Sequence, residues 1–261
     1  MAVREPDLDA VLRWAAAAGF DAVEVSGRHL AAVLADPVAA QRRAREYGLV
    51  IAALAPMLNL LEPEATAGWH PPMPPRAERL ARFRDCLAAA QAAEVPTVVT
   101  YGGSAFGIFF WGAPATAPDH PTHHEEENLR RWAETFAPLA EEAERRGVRI
   151  AFETAPRGGG HGNVAHAPEL WERMFRLLPS PALGLSFDPS HLVWLQVGPV
   201  EAVIREFAPR LYHIDGKDTE IFWDRLARQG IWGNRWWRYR LPGDGSLDWG
   251  SLVATLRAVG Y

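Results

Sequence analysis

Residues 183–191 read Leu-Gly-Leu-Ser-Phe-Asp-Pro-Ser-His, a short and largely apolar run that ends in a carboxylate and an imidazole. Two further runs have the same form, Val148-Arg-Ile-Ala-Phe-Glu153 and Leu211-Tyr-His-Ile-Asp215. Short apolar runs favour strands that are buried on both faces, as in a parallel sheet. The sequence therefore predicts parallel strands with polar side chains at their carboxyl ends.

Helical patterns alternate with such runs along the chain, which indicates a repeated β-α unit. The predicted strands are 21–25, 49–54, 97–100, 148–152, 183–187 and 211–214. The predicted helices are 8–18, one that runs through residue 45, 76–94, 125–146, 168–178 and 200–207. Loops after strands are long, as in 59–75 and 101–124, whereas loops before strands are short. Because active sites of α/β folds lie at the carboxyl ends of the strands, we expect function there.

The composition predicts one soluble, cytoplasmic domain over residues 1–261. A chain of 261 residues with 48% hydrophobic content is long enough for one large core. A net charge of −5 argues against nucleic acid as a partner. No apolar run is long enough to predict a membrane span. The single cysteine, Cys86, provides neither a disulfide framework nor a cysteine metal site.

Three successive strands end in residues that can bind metal: Glu153, then Asp188 with His191, then His213 with Asp215. Mixed carboxylate and imidazole ligands suit Mn²⁺, Zn²⁺, Co²⁺ or Fe²⁺, and Mg²⁺ becomes less favourable as imidazoles are added. A single polar residue at a strand end is often satisfied by loop amides instead. The repetition over three strands favours a divalent-metal site.

Lys217 is the only lysine among the 27 basic residues. Lysine provides a compact charge with three donors, whereas arginine is a bulky planar fork. The isolated lysine therefore indicates a position that needs the smaller cation, and the alternative is a surface lysine retained by chance.

Four phrases carry a resemblance to a known family: Gly19-Phe-Asp-Ala-Val-Glu24, Phe187-Asp-Pro-Ser-His-Leu192, Tyr212-His-Ile-Asp-Gly-Lys-Asp218 and Pro242-Gly-Asp-Gly-Ser-Leu-Asp-Trp249. The middle two are specific, in this order after Glu153. The chain resembles the xylose isomerase-like sugar phosphate isomerase/epimerase superfamily, which also includes endonuclease IV-type enzymes. The resemblance covers nearly the whole chain and implies an α/β fold, the (β/α)8 TIM barrel.

The resemblance also implies a chemistry. Glu153 would bind the metal and act as acid/base, and Asp188 and His213 would be further ligands. The implied function is a metal-dependent isomerase or epimerase of a sugar, a sugar phosphate or a polyol-derived ketose, which transfers a proton through a metal-stabilised enediolate.

Substrate contacts are implied for a second set of residues. His191 matches a histidine that contacts substrate in the epimerases, and Lys217 lies within a matched phrase, so both are expected to act with Glu153 in catalysis. Asp215 stands where relatives often carry histidine and is expected to contact substrate. Aromatic residues in the loops are expected to wall the pocket, or else to pack the loops onto the barrel: Trp69, Phe109, Phe110, Trp111, Trp232, Trp236 and Trp237.

The sequence departs from the family pattern at both ends. Family barrels open with a strand before the first helix and close with an eighth strand that carries a second catalytic glutamate, and neither is found between Met1 and Tyr261. We therefore expect a barrel without its first and last strands. Such a barrel exposes strand edges and apolar surface, which predicts a homo-oligomer.

Three alternatives remain open. A nuclease on the same scaffold needs histidines at the ends of earlier strands, and Glu24-Val-Ser-Gly27, Pro56-Met-Leu-Asn59 and Thr100-Tyr-Gly-Gly103 have none. A catalytically impaired barrel that binds a metal or a sugar would also fit the incomplete ends. A sugar lyase or dehydratase would use the same enediolate chemistry.

Overall fold

The fold is built on one parallel sheet of six strands, which lie side by side in the order in which they occur along the chain. A computed structural model describes residues 7–61, 74–105, 125–158, 161–231 and 233–261. The strands of this sheet are β1 (Ala22–Ser26), β2 (Val50–Ala55), β3 (Thr97–Tyr101), β4 (Arg149–Glu153), β7 (Leu183–Phe187) and β8 (Leu211–Ile214). Every neighbouring pair is parallel. The α/β prediction and all six predicted strands are confirmed.

The sheet curls into an open barrel. Strand β8 pairs with β7 but also packs against β4 and β3, which lie further along the sheet. At the two ends of the sheet, Glu24 of β1 and His213 of β8 meet side chain to side chain at 3.1 Å. The six strands therefore surround a common interior, as in a TIM barrel.

Most of the helices cover the outside of the sheet because they present an apolar face to it, whereas the short helix at Trp223–Gln229 has no buried residue. In helix α5 (Glu125–Arg146), buried residues recur at spacings of three and four, which places them on one side of the helix: Leu129, Trp132, Phe136 and Leu139. Fully burying each of these side chains contributes roughly 1.5–3 kcal/mol. The helices are α1 (Leu8–Ala17), α2 (Leu30–Ala35), α3 (Pro37–Glu46), α4 (Arg76–Ala92), α5 (Glu125–Arg146), α6 (Pro168–Leu177), α7 (Pro189–Leu195), α8 (Val200–Phe207), α9 (Trp223–Gln229) and α10 (Trp249–Ala258).

The region before β2 differs from the prediction of one helix that runs through residue 45. It forms two helices, because Asp36 accepts a hydrogen bond from Ala39 N and Pro37 occupies the first helical position. An aspartate cap followed by proline begins a new helix, since proline cannot continue the preceding one. The α2–α3 break is local and leaves β2 in its predicted place.

Small side chains of the strands line the interior of the barrel and leave space for a larger side chain. Ala53, Ala55, Val99 and Ala151 form a separate buried cluster against which Tyr212 packs. A side chain at Gly184 would lie 2.4 Å from the Tyr212 ring, so glycine is required there. Tyr212 and Met57 thus pack against the small residues of the interior, and a cavity lies at the carboxyl ends of the strands.

Several elements after β4 were not predicted. They are the short hairpin β5 (Arg157–Gly158) with β6 (His161–Gly162), the helix α7, the antiparallel pair β9 (Asp218–Ile221) with β10 (Trp237–Arg240), and the helices α9 and α10. Helix α7 follows the carboxyl end of β7 directly, and the β9–β10 hairpin packs against α7 through β9. Among the described helices, none combines the length and the apolar character needed to cross a bilayer.

Candidate metal centre

Glu153, Asp188 and His191 converge at the carboxyl ends of β4 and β7. One ligand atom of each lies within 4.8 Å of the others, and all three side chains are buried. Glu153 is the last residue of β4, Asp188 follows β7 directly, and His191 lies in the first turn of α7. The parallel register therefore brings together side chains that are 38 positions apart in sequence at the extremes.

Asp188 is fixed by the helix that it begins. Its Oδ1 accepts hydrogen bonds from Ser190 N at 2.9 Å and from Ser190 Oγ at 2.5 Å, which makes it the N-cap of α7. Its Oδ2 faces His191 Nε2 at 3.1 Å and Lys217 Nζ at 2.5 Å. This buried oxygen is therefore held by two groups that can carry positive charge.

Charge holds this group in its ionised form. Burial alone would raise the pKa of Asp188, but His191 and Lys217 outweigh burial and hold that pKa below its usual value. Burial likewise opposes the charged form of Lys217, and Asp188 overcomes it and raises the Lys217 pKa. Asp188 is therefore a carboxylate and Lys217 an ammonium group at neutral pH.

A second cluster of polar side chains, which contains Glu24, His213 and Asp215, lies beside Glu153, Asp188 and His191. His213 Nε2 lies 3.1 Å from Glu24 Oε2. The family resemblance predicted His213 as a metal ligand. In the structure His213 contacts Glu24, and the histidine that lies with Glu153 and Asp188 is His191. Burial, followed by the charges of Glu153, Asp188 and Glu24, raises the pKa of Asp215 to about 7. This crowding of carboxylates is an electrostatic environment that a divalent cation would relieve.

The residues fit a divalent cation on two grounds. The donor set of two carboxylates and an imidazole is one that first-row metals prefer. One ligand atom of each of the three residues lies within 4.8 Å of the others, which is close enough for a single ion to contact all of them.

The cavity beside these groups is of the size used for small molecules. It has a volume of about 350 Å³. Its described lining includes the three convergent residues, the carboxyl groups of Glu24 and Asp215, and Lys217, but not His213. The full described lining is Glu24, Ser26, Met57, Val99, Tyr101, Glu153, Ala155, Asp188, His191, Asp215 and Lys217. A larger groove of about 560 Å³ opens between β1 and β8 and shares Glu24 and Asp215 with it.

The aromatic residues expected around the pocket divide in three ways. Trp111 lies outside the described residues, as do Trp69, Phe109, Phe110 and Trp232. Trp236 is buried and donates to Ile231 O at 3.2 Å, so it packs its own loop. Trp237 stacks on Trp194 with ring centroids 4.6 Å apart.

Tyr239 is a site residue that sequence reasoning missed. Its hydroxyl lies 2.9 Å from His191 Nδ1, and Lys217 Nζ lies 4.4 Å from the centre of its ring. A signal was present: in Trp237-Arg-Tyr-Arg240 aromatic and basic residues alternate, which is the period of a strand with both rings on one face. Glu24 was also missed, although it is the one charged residue within Ala22–Ser26.

The model of the xylose isomerase-like TIM barrel matches residues 12–261, which is nearly the whole chain. The chain belongs to the xylose isomerase-like TIM barrel family. The resemblance read from the sequence is thereby confirmed. The match extends through β9, β10 and α10, so the unpredicted hairpin belongs to the family domain.

Solved structures of this xylose isomerase-like fold superpose along almost the full chain. An L-ribulose 3-epimerase is 20% identical, with a TM-score of 0.67 over 97% of this chain and 72% of that protein. The probable 3-DHS dehydratase AsbF from Bacillus anthracis is 12% identical, with a TM-score of 0.66 over 97% and 84%. At these identities the likeness establishes the shared barrel.

A relative by sequence is the uncharacterized protein YfiH of Bacillus subtilis (strain 168). It is 30% identical over 146 residues, which cover 50% of this xylose isomerase-like chain and 44% of YfiH. The chain thus spans less than half the length of that relative.

Proposed function

We propose that the protein is a divalent-metal-dependent isomerase or epimerase of a small sugar. The observation that carries this proposal is the convergence of Glu153, Asp188 and His191 in a small cavity, with Lys217 against Asp188. A buried acid/base, a cation site and a protonated donor at the carboxyl ends of barrel strands are the components that proton transfer next to a carbonyl requires. The epimerase and dehydratase folds support the assignment by analogy.

Glu153 and Asp188 would hold the cation together with one imidazole. His191 lies within 3.5 Å of both carboxylates, whereas His213, which the family resemblance favours, contacts Glu24. When bound, a divalent cation would polarise the sugar carbonyl and stabilise negative charge on the neighbouring oxygens.

Glu153 is positioned to move the proton. Its side chain is buried, with Oε1 3.5 Å from His191 Nε2 and Oε2 3.4 Å from Ser186 Oγ. A general base must lie within reach of the proton that it takes, and Glu153 lines the cavity in which a substrate would bind. Glu153 would take the proton from the carbon next to the carbonyl. In an isomerase it would return that proton to the neighbouring carbon, whereas in an epimerase a second group would supply a proton to the opposite face.

Lys217 would hold a substrate oxygen, and His191 would do so as well where His213 supplies the imidazole ligand of the cation. Lys217 Nζ lies 3.4 Å from His191 Nε2, so the two groups occupy neighbouring positions. An epimerase also needs a base on the second face of the carbon. Asp215 and Glu24 line the same cavity and are the described carboxyl groups from which that base would come.

The charge of the lining favours an uncharged sugar over a sugar phosphate. Within the described lining, Glu24, Glu153, Asp188 and Asp215 provide four carboxyl groups, and Lys217 provides the one ammonium group. A phosphate dianion would meet more negative than positive side chains there. We therefore propose a neutral ketose as the substrate class, held through its hydroxyl groups.

The experiment is proton exchange in heavy water. The purified protein with MnCl₂ would be incubated with ketopentoses, ketohexoses and their phosphates in D₂O, and deuterium next to the carbonyl would be followed by NMR. We expect exchange into a neutral ketose, and we expect Glu153→Gln to lower the rate by about 100-fold or more. Glu169→Gln, an exposed glutamate on α6, is the matched control and should leave the rate unchanged.

Three outcomes would contradict the proposal. Exchange that persists in Glu153→Gln would show that Glu153 is not the base. Exchange that is insensitive to a chelator would show that the reaction does not need a cation. An unsaturated product formed with loss of water would assign the protein to the dehydratases instead.

A further inference from the structure

Tyr239 lies where it can control the orientation of His191. Its hydroxyl group is 2.9 Å from His191 Nδ1, and the two rings meet edge to face at 5.5 Å and 85°. The other ring nitrogen of His191, Nε2, faces Asp188 at 3.1 Å and Glu153 at 3.5 Å. An imidazole held at Nδ1 has a fixed direction for Nε2, because the ring is rigid.

The Tyr239 ring is itself fixed from several sides. Lys217 Nζ lies over its face at 4.4 Å, and Trp237 meets it at 5.0 Å. The backbone of Tyr239 is paired with Thr219 in the β9–β10 hairpin. A phenol ring held by these contacts can fix the orientation of a neighbouring side chain.

The phenol hydroxyl suits His191 in either of its neutral forms. It can donate to Nδ1 when Nε2 carries the proton and faces the carboxylates, and it can accept from Nδ1 when Nε2 is needed as a lone pair. Phenylalanine can do neither. Tyr239 is 41% exposed, so its hydroxyl is not required to fill a core.

We propose that Tyr239 is a positioning residue that holds His191 with Nε2 directed at Glu153 and Asp188. The effect on chemistry rests on the proposed function, whereas the effect on His191 does not. Tyr239 acts through the histidine and is not a catalytic residue. The hairpin β9–β10 therefore has a role in the site.

The direct test compares crystal structures of the metal-free protein and Tyr239→Phe in one crystal form. We expect Tyr239→Phe to lose the Nε2 contact with Asp188, with the His191 ring rotated or in two conformers. Tyr47→Phe is the matched control, because it removes a hydroxyl that contacts Asp9 at 3.0 Å before β2, at the other end of the strands. His191 should be unchanged in that variant. A His191 ring that keeps its orientation in Tyr239→Phe would overturn the proposal.

The functional test uses the heavy-water exchange rate in a double-mutant cycle. Removing a group that orients a site ligand lowers activity by about 10-fold or more, and we expect that loss for Tyr239→Phe. In a His191→Phe background, Tyr239→Phe should change the remaining rate by less than about 2-fold, because the residue through which it acts is gone. Equal losses in both backgrounds would overturn the proposal. If wild type exchanges no sugar, the proposed function fails, and the crystal structures still decide the role of Tyr239.

Discussion

Asp188 uses its two carboxylate oxygens for different purposes. Oδ1 caps helix α7 through Ser190, and Oδ2 faces Lys217 and His191. The cap fixes the carboxylate before any ligand arrives, so little side-chain freedom is lost when a cation binds. Lys217 provides the opposing charge in the meantime, which explains why a compact ammonium group stands at this position.

The first prediction concerns the carboxylates. Glu153→Gln and Asp188→Asn should each weaken Mn²⁺ binding by more than about 10-fold, because a neutral amide oxygen is a poorer ligand than a carboxylate. Isothermal titration measures the affinity, with Glu169→Gln as the control. Unchanged Mn²⁺ affinity in both variants would show that the cation is held elsewhere. His191→Gln and His213→Gln in the same assay assign the imidazole, and the contact distances favour His191.

Asp218 shows what a buried carboxylate does when it is fully satisfied. It accepts hydrogen bonds from the backbone of Gly243, Gly245 and Leu247 and from Trp249 Nε1, and it is fully buried. The sequence placed Asp218 in a family phrase but gave no sign of this role, because its partners lie 25 to 31 positions away.

The second prediction follows from those hydrogen bonds. Asp218→Ala should lower the free energy of unfolding by about 3 kcal/mol or more, since the carboxylate is fully buried and its four half-buried donors lose their acceptor. Asp244→Ala, an exposed aspartate in the same loop, should change it by less than about 0.5 kcal/mol. Urea unfolding measures both. Equal, small changes would contradict the account of Asp218 as the organiser of this loop.

Elements with simple patterns were predictable, and elements defined by distant partners were not. The apolar runs 183–187 and 211–214 predicted strands β7 and β8 with correct bounds, because a buried parallel strand needs only a short apolar segment. Helix α7 was missed because it has only seven residues and begins at an aspartate already interpreted as a ligand. The β9–β10 hairpin was missed because 15 residues separate its strands, so no turn signal links them.

The loop after β3 shows the same limit. Nothing in Gly102-Gly103-Ser104 itself indicates its partners, yet Gly103 N donates to Asn163 Oδ1, and a side chain at Gly103 would lie 2.2 Å from Asn59 Oδ1. The glycine is required by close packing as well as by its φ of 79°. Only the folded chain brings Asn59 and Asn163 to this position.

The third prediction separates those two causes. Gly19→Ala replaces a glycine with φ 81° and no neighbour within 4 Å, so it should lose about 1 kcal/mol from backbone strain alone. Gly103→Ala carries the same strain and a clash, which should bring its loss to about 2–4 kcal/mol. Urea unfolding of both variants checks the difference. A loss for Gly103→Ala no larger than that for Gly19→Ala would contradict the packing argument.

At the scale of the whole molecule, the described sheet has two outer strands, β1 and β8, each paired on one side. The groove between them is lined by apolar residues of α1 and its neighbours, with Phe20 52% exposed. Unpaired strand edges beside apolar surface favour association with another chain.

The fourth prediction is that the chain self-associates through this groove. Sedimentation velocity should show species larger than a monomer that grow with protein concentration. Phe20→Glu should shift the distribution towards monomer, because a charge in an apolar contact is costly. Leu177→Glu is the matched control, since Leu177 is similarly exposed at 53% and lies at the end of α6, outside the groove. A chain that stays monomeric at high concentration would contradict the prediction.

The proposed chemistry depends on a divalent cation held by Glu153 and Asp188. The most direct measurement is an anomalous difference map from crystals soaked in MnCl₂. We expect a peak within about 2.4 Å of a carboxylate oxygen of Glu153 and of Asp188, with one imidazole nitrogen as the remaining protein ligand. A map without a peak between these carboxylates, or with its strongest peak at another site, would contradict the account.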